Sequence, residues 1–326
     1  MRRRDFLAVV GGAAAWVMPA QAQKKLPVIA FLNSGAADAT ASKALMSLTE
    51  AGLREVGLVQ GQDYVFVTRW ANGDPSRFPA LAAELLEGNP SAIIVGTILA
   101  VKAAQNLTRT VPIVMTGMND PVAAGLVASL ARPGGNITGV STMAEDVLLK
   151  LIEIMREVLP DVRRLTVMSN PTNPSNPPMV DTLIRYFAGK DLAISSIGVS
   201  GPADLDAAFA EMAKQKPGAL FVLTDNILQS LAEPVVAKAM AQRVPTFANL
   251  GVYAHAGALF DYSRDPPEAF RGVARLLKKI LGGAVVAELP VEQPTKFNLF
   301  INLKTAEELN VTIAPALLAR ADQLIE

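Results

Sequence analysis

The sequence predicts an α/β fold of two Rossmann-like lobes, each built on a parallel sheet. Short runs rich in Val, Ile, Leu and Phe, such as 28–32, carry no polar alternation, which is typical of strands buried on both faces. Amphipathic helical stretches separate these runs, and several end at glycine, as 41–56 does at Gly57. The alternation of strand and helix restarts near Met143. Two comparable sets of strands and helices therefore indicate two lobes of one architecture.

The first set of elements follows from local patterns. Apolar runs predict strands at 28–32, 64–70, 92–95 and 111–115. Helical periodicity predicts helices at 41–56, 77–87 and 99–107. The glycine-rich segment 133–139 predicts a tight turn before a short strand at 137–140, rather than a phosphate-binding loop. These helices each connect two strands of the expected parallel sheet.

The second set repeats the pattern. Strands are predicted at 164–168, 192–199, 219–223, 245–247, 258–260 and 297–301. Helices are predicted at 143–159, 178–188, 203–216, 228–243 and 266–281, with two short helices after the last strand. Pro160 ends the first of these helices, and Gly282-Gly283 ends the last long one, because neither residue type favours a continuing helix.

Polar side chains follow nearly every strand of both predicted sheets. Ligands of open α/β sheets bind outside the carboxyl ends of the strands, so these side chains are candidates for a site between the lobes. Ser and Thr hydroxyls suit a carboxylate, an Asp suits an ammonium group, and Tyr can flank an apolar group. The candidate ligand-binding residues are Asn33, Ser34, Thr97, Ile98, Asp120, Asn170, Asp225, Asn226, Asn249 and Tyr262.

The same residue types have an ordinary structural use as well. Asp, Asn, Ser and Thr are common caps and turn formers after any strand, so both interpretations stay open at each position. Asp120 and Asp225 stand out because each brings a charge to the expected edge of the cleft. The set suits a small zwitterion. We expect alanine at either position to remove most ligand-induced stabilisation and to leave the unliganded melting temperature nearly unchanged.

Composition excludes several classes of function. The chain has no cysteine, and His255 is its single histidine, which excludes thiol chemistry and strongly disfavours a histidine-based metal site or a Ser-His-Asp triad. No dinucleotide-binding, P-loop or nucleophile-elbow motif is present, so no cofactor and no metal are predicted. The formal net charge is +0 and no basic tract follows the amino terminus, so nucleic acid is not an expected partner. Lys, Asp or Glu chemistry stays open.

The amino terminus carries the features of an export signal. Arg3-Arg4 is followed by Phe6-Leu7, an apolar stretch at 8–18 and the small-residue site Ala20-Gln21-Ala22. The apolar stretch is shorter than the roughly 20 residues that span a bilayer. Residues 1–22 are therefore predicted to be a removable signal peptide of the twin-arginine type. Because no cysteine offers a lipid anchor, the mature chain is expected to be soluble in the periplasm.

Three separated motifs resemble the ABC-transporter substrate-binding proteins of the tryptophan/tyrosine type. The first motif covers 119–127, N-D-P-V-A-A-G-L-V, and 130–140, L-A-R-P-G-G-N-I-T-G-V. The second motif is Thr224-Asp225-Asn226, and the third covers 301–306 and 317–322 near the carboxyl terminus. The motifs occur in the family's order, and the resemblance runs from about Pro27 to Glu326.

The resemblance implies the type I periplasmic-binding-protein architecture, with three crossovers between two hinged lobes. The crossovers are expected near Ser141-Thr142, Ser263-Arg264 and Pro290-Val291. The amino-terminal lobe would comprise 27–141 plus 264–290, and the carboxy-terminal lobe 142–263 plus 291–326. Carried over by motif, Asp120, Asp225 and Asn226 are the positions expected nearest the ligand.

The resemblance also implies a function, that of a non-catalytic solute-binding component of an ABC importer. The expected partners are an amino acid or a small aromatic carboxylate and an ABC permease in the inner membrane. Two departures leave the ligand open: 97–100 reads T-I-L-A where the family often has T-P-A-A, and 170–178 is unusually proline-rich. An exported sensory ligand-binding protein, or an exported enzyme on the same scaffold, is the alternative.

Overall fold

A computed structural model describes residues 25–326, and the predicted signal peptide at 1–22 lies outside them. The first run of elements comprises β1 (Val28–Asn33), α1 (Thr40–Glu55), β2 (Val65–Trp70), α2 (Phe78–Glu87), β3 (Ala92–Val95), α3 (Ile98–Leu107), β4 (Ile113–Met118) and β5 (Ile137–Ser141). Between residues 25 and 326, no helix combines the length and the apolar character that crossing a bilayer requires.

The second run begins after β5. It comprises α4 (Ala144–Val158), β6 (Arg164–Ser169), α5 (Asn176–Phe187), β7 (Ala193–Gly198), α6 (Leu205–Gln215), β8 (Ala219–Val222), α7 (Asn226–Ser230), α8 (Ala232–Ala241), β9 (Thr246–Ala248) and β10 (Phe260–Arg264). The remainder comprises α9 (Pro266–Leu281), β11 (Phe297–Asn302), α10 (Leu303–Leu309), α11 (Pro315–Leu318) and β12 (Gln323–Ile325).

The first sheet is wholly parallel, with strand order β2-β1-β3-β4-β5. Apolar side chains cover both of its faces. On one face Leu85 of α2 and Val101 of α3 are buried against β1, β3 and β4. On the other face Leu53 of α1 and Leu277 of α9 complete a second core. Burial on both faces explains why its central strands read as continuous apolar runs in the sequence.

The second sheet has the order β12-β11-β10-β9-β8-β6-β7. Its helices α4 and α5 cover one face, and α6 and α8 cover the other. One pairing departs from the predicted parallel sheet, because β11 runs antiparallel to β10. After β10 the chain crosses to the first sheet. It then re-enters the second sheet beside β10, at the end of the sheet where β10 finished. The returning strand must therefore run in the opposite direction.

The chain passes between the two sheets three times, after β5, after β10 and before β11. The long helix α9 therefore packs on the first sheet, although it follows a strand of the second. Val291 and Glu292 remain with the first sheet, since their amides donate to Leu130 O and Gly139 O, both at 2.8 Å. The chain therefore still contacts the first sheet at Glu292, before it returns to the second sheet as β11.

Some elements depart from the prediction by more than small shifts of their ends. The helix predicted at 228–243 is broken into α7 and α8 at Leu231. Pro234 explains the break, because its ring would collide with the Ser230 carbonyl in a continuous helix. The strand predicted at 258–260 is instead β10, whose polar residues are held by pairing with β11. The short terminal strand β12 was not predicted, since Gln323–Ile325 shows no strand pattern.

Candidate functional site

The carboxyl ends of the strands in the two sheets face each other. We call the loops that follow β1, β3 and β4 in the first sheet, together with those that follow β6, β8, β9 and β10 in the second, the inter-lobe rim. Side-chain contacts cross it. Asn226 Nδ2 lies 3.5 Å from Ser34 Oγ, and Arg264 Nη1 donates to Thr116 O at 3.0 Å. The structure thus brings polar groups from distant parts of the chain to one place.

Asn33 and Ser34 form the first-lobe side of this contact. Asn33 Oδ1 accepts hydrogen bonds from the Ser34 amide at 2.7 Å and from Ser34 Oγ at 3.3 Å. Gly96, at the end of β3, lies so close to Asn33 that a side chain there would collide with the Asn33 amide. Asn33 is therefore buried and fixed, whereas the neighbouring Ser34 reaches towards the second lobe.

The remaining first-lobe candidates have local roles that the structure makes explicit. Thr97 caps α3, its hydroxyl accepting from the Ala100 amide at 3.2 Å. Ile98 is buried in the core beneath the rim. Asp120 is exposed and has a φ of +34°, and its carboxylate accepts from the Ala123 amide at 3.0 Å to close a turn. The positions of Thr97 and Asp120 place both at the rim, whereas Ile98 contributes packing.

Asp225 is the centre of the polar network in the second lobe. Its Oδ1 caps α7, accepting from the Ile227 and Leu228 amides at 2.8 and 3.1 Å. Its Oδ2 accepts from Asn170 Nδ2 at 3.2 Å and from Asn173 Nδ2 at 2.9 Å. Both oxygens of this buried carboxylate are therefore occupied by protein donors.

The network also fixes the proline-rich segment 170–178. The backbone amide of Asn170 donates to Asn176 Oδ1 at 2.9 Å, and Asn176 Nδ2 donates to Thr224 O at 3.2 Å. Asn170 Oδ1 in turn accepts from Thr172. Sequence reasoning missed Asn173 and Asn176, although their place in the Asn-rich loop after a strand was a usable signal. The loop is thereby held against Asp225 rather than left free to move.

Asn249 and Tyr262 complete the predicted set. Asn249 Oδ1 accepts from Thr224 Oγ1 at 2.8 Å, which joins the ends of β8 and β9. Tyr262 is partly buried and stacks on Phe297, with ring centroids 5.5 Å apart. Its ring packs against the core beside α4 and α5. Asn249 therefore shares the polar network with Asp225, and Tyr262 does not take part in it.

Asp261 is a buried carboxylate that sequence analysis left out of the site. It is 0% exposed and accepts from the Gly251 and Tyr253 amides, both at 3.1 Å. Burial raises the pKa of this carboxyl. Tyr253 donates in turn to Leu228 O at 2.7 Å. Asp261 thus fixes the loop after β9, which carries Asn249 to the rim.

Arg264 is a further residue that sequence analysis did not select. It extends from the end of β10 to the first sheet, where it meets Thr116 O and lies against Gly117. Gly117 has a φ of +137°, and any side chain at this position would collide with the guanidinium. Burial lowers the pKa of Arg264. Its place after a strand, next to Ser263, was the only signal in the sequence.

A cavity of about 680 Å³ lies far from the rim. Val158, Arg164, Gly218 and Val311 are among the residues that line it. Arg164 begins β6 and Gly218 precedes β8, so the cavity opens at the amino ends of these strands. The convergent polar groups stand at the opposite edge of the sheet. The convergence of polar groups, rather than the volume of a cavity, therefore identifies the rim as the candidate site.

The described residues offer no obvious metal centre. Within 25–326, no group of three or more His, Asp or Glu side chains is arranged to hold a metal ion. The donors at the rim are mostly amides and hydroxyls, which recognise small polar molecules by hydrogen bonds. The geometry therefore suits reversible capture of a small solute between two lobes.

Two α/β sheets, joined by three passages of the chain and facing each other at their strand ends, define the type I periplasmic-binding-protein fold. A family model described as ABC transporter substrate binding protein matches residues 25–325. The chain belongs to this family. The resemblance inferred from the three sequence motifs is thereby confirmed, and so is the predicted fold.

Individual relatives agree with this membership. A protein named tyrosine-binding protein from Clostridioides difficile strain R20291 is 26% identical over 260 residues, covering 79% of this chain and 74% of that protein. A Streptococcus pneumonia ABC domain in complex with L-Trp has a TM-score of 0.83 at 22% identity, covering 92% of this chain and 100% of that one. A conserved domain protein from Vibrio cholerae O1 biovar El Tor reaches 0.83 at 27% identity, with the same coverage.

Proposed function

We propose that this chain is the exported, non-catalytic solute-binding component of an ABC importer. Its ligand would be an amino acid or a small aromatic carboxylate, captured between the lobes by hinge closure. The observation that carries the proposal is the contact between Asn226 and Ser34, because it joins the strand ends of two sheets across the cleft. Family membership and the tyrosine-binding and L-Trp-bound relatives support the ligand class.

The proposed site uses the rim in two ways. Ser34, Thr97, Asn226 and the surrounding amides would contact the ligand, while Asn170 and Asn249 would hold the second-lobe loops through Asp225 and Thr224. Closure is favourable only when a ligand bridges both halves, because the bound solute then interacts with two surfaces rather than one. The closed surface would be recognised by an ABC permease in the inner membrane.

The lobes proposed from sequence keep their composition with one adjustment. The amino-terminal lobe would comprise 27–141 plus the segment from 264, and the carboxy-terminal lobe 142–263 plus the final segment. The amide contacts of Val291 and Glu292 favour ending the first lobe after Glu292 rather than after Pro290. Periplasmic location rests on the predicted twin-arginine signal at 1–22.

A calorimetric screen of the chain without residues 1–22 tests the ligand class. The panel would contain L-tyrosine, L-tryptophan, L-phenylalanine, benzoate and 4-hydroxybenzoate. A ligand present at a thousandfold excess over Kd should stabilise the protein by about 4 kcal/mol, which a thermal shift also detects. We expect at least one panel member to bind and to be recovered unchanged. Consumption of the bound compound would instead identify an enzyme, and absence of any binding would overturn the proposed ligand class.

A matched pair of variants tests the site. Asn226→Ala removes an exposed side chain that makes a cross-lobe contact, so the affinity should fall by about tenfold, the typical worth of one or two hydrogen bonds. Asn106→Ala is the control, because Asn106 is exposed at the carboxyl end of α3, whereas the rim lies at the amino end of this helix. It should bind as the wild type does. Equal affinities for all three proteins would place the ligand elsewhere.

A further inference from the structure

Arg264 brings a positive charge into the inter-lobe rim. Its guanidinium carries five N–H donors. Among the described residues, Thr116 O is the acceptor that it reaches. Among the residues whose side chains the structure describes, no Asp or Glu lies within 4.0 Å of it. A partly buried cation that lacks a neighbouring anion is costly, which the lowered pKa of Arg264 reflects.

Other arginines of the chain show what a paired guanidinium looks like here. Arg271 of α9 contacts Glu55 at 2.9 Å and Glu268 at 3.0 Å. Arg275 contacts Glu292 at 2.7 Å. Both are more exposed than Arg264 and yet have carboxylate partners. Unlike these two arginines, Arg264 is therefore placed to receive an anion from outside the protein.

The acidic residues of the rim differ in how far protein donors occupy them. Asp225 accepts four hydrogen bonds from protein donors, and Asp120 accepts the Ala123 amide in its own turn. An ammonium group entering the cleft would have to displace these bonds at Asp225. The rim thus offers a donor for a carboxylate in Arg264, whereas the acidic side chain left with an accessible oxygen for an ammonium group is the exposed Asp120.

We infer that Arg264 binds the carboxylate of the ligand and that the cleft selects small carboxylic acids, whether or not they carry an amino group. This inference rests on the proposed function and narrows its ligand class. A guanidinium fork matches a carboxylate with two parallel hydrogen bonds, which Lys cannot reproduce. Its bond to Thr116 O also ties the end of β10, in the second sheet, to β4 of the first sheet. The carboxylate would therefore bind where closure brings both lobes together.

Isothermal titration of acid and amide pairs tests the inference. The probes are benzoate with benzamide, 4-hydroxybenzoate with 4-hydroxybenzamide, and L-tyrosine with L-tyrosinamide. We expect the wild type to bind the acid of at least one pair at least about tenfold more tightly than its amide. Arg264→Gln should lose this preference, and Arg264→Lys should retain part of it. Arg243→Gln, at an exposed position on the second lobe, should behave as the wild type does.

The contrary outcomes are distinct. If Arg264→Gln keeps the wild-type preference for the acid, the residue does not bind the carboxylate. If Arg264→Gln weakens the binding of acid and amide equally, Arg264 acts only through its hydrogen bond between the two sheets. Equal binding of acids and amides by the wild type would overturn the inference and leave the proposed function intact. Failure of the wild type to bind any probe would overturn the proposed ligand class itself. Unliganded melting temperatures confirm that each variant is folded.

Discussion

Asp225 shows how one residue can satisfy a sequence motif and still have its own side chain fully used by the fold. It lies at the strand end where the motif predicts it, yet it caps α7 and holds Asn170 and Asn173. Chain position could be predicted, since the end of a buried strand is marked by the change from apolar to polar residues. The number of hydrogen bonds could not, because two of the donors come from a loop 52 and 55 residues away.

Replacing Asp225 by alanine should therefore destabilise the unliganded protein, contrary to the expectation from sequence alone. The substitution removes a helix cap and leaves two buried amide side chains without an acceptor, so we expect a loss of about 2–4 kcal/mol in the free energy of unfolding. Urea denaturation of the unliganded protein measures it. Asn226→Ala, one residue along and exposed, should change the free energy of unfolding by no more than about 0.5 kcal/mol.

Asp261 should make stability depend on pH. Burial raises the pKa of its carboxyl, so the folded state holds this proton to a higher pH than the unfolded chain does. The resulting contribution to stability is fully present below the unfolded pKa of about 3.9 and is lost as the pH rises through the folded pKa. The free energy of unfolding of the wild type, relative to Asp261→Asn, should therefore decline from about pH 4 upwards.

Denaturant titrations between about pH 4 and 8 would measure this decline. Asp181→Asn is the control for a charge change at an exposed position of α5. A wild-type profile that is parallel to that of Asp261→Asn at every pH would contradict the assignment, because the raised pKa would then have no energetic consequence.

At the scale of elements, the packing of α9 against α1 keeps the first lobe intact although its parts are distant in sequence. Gly52 of α1 makes this packing close: a Cβ built on it would lie 2.8 Å from the carbonyl oxygen of Phe270 in α9. Real Cβ atoms do not approach a backbone oxygen so closely, and the obstacle here is helix backbone rather than a flexible side chain. The two helices can therefore approach this closely only while residue 52 is glycine.

The sign of the stability change in Gly52→Ala tests this contact. In an isolated helix the change should stabilise by nearly 1 kcal/mol, because alanine has the higher helix propensity. In this protein we expect a net loss of about 1–3 kcal/mol, since the new methyl group forces the helices apart. Gly135→Ala is the control, as its Cβ would meet nothing within 4 Å. A more stable Gly52→Ala variant, measured by thermal unfolding, would show that the helices separate without cost.

At the scale of the whole molecule, alternation of apolar strands and amphipathic helices was sufficient to predict two lobes. Pairing between remote segments was not predictable in the same way. The antiparallel β11 and the attachment of Val291 to the first sheet follow from the chain crossing between lobes, which no local pattern records. Arg264 was missed for the same reason, since its partner Thr116 lies 148 residues away. Residues that act across the cleft are thus the least visible in the sequence.

Hinge closure predicts that the two lobes approach each other when a ligand binds. The chain has no cysteine, so cysteines introduced at chosen positions can be labelled specifically. Spin labels on Lys102→Cys in α3 and Glu233→Cys in α8 would sit at exposed positions of different lobes. A saturating ligand should shift their distance distribution towards shorter values and narrow it, because a bridging solute favours the closed state. Labels at Glu87→Cys and Lys102→Cys, both in the first lobe, should keep one distance throughout. A ligand that binds tightly without moving the first pair would mean that capture occurs on one lobe alone, and the cross-lobe contact between Asn226 and Ser34 would then play no part in binding.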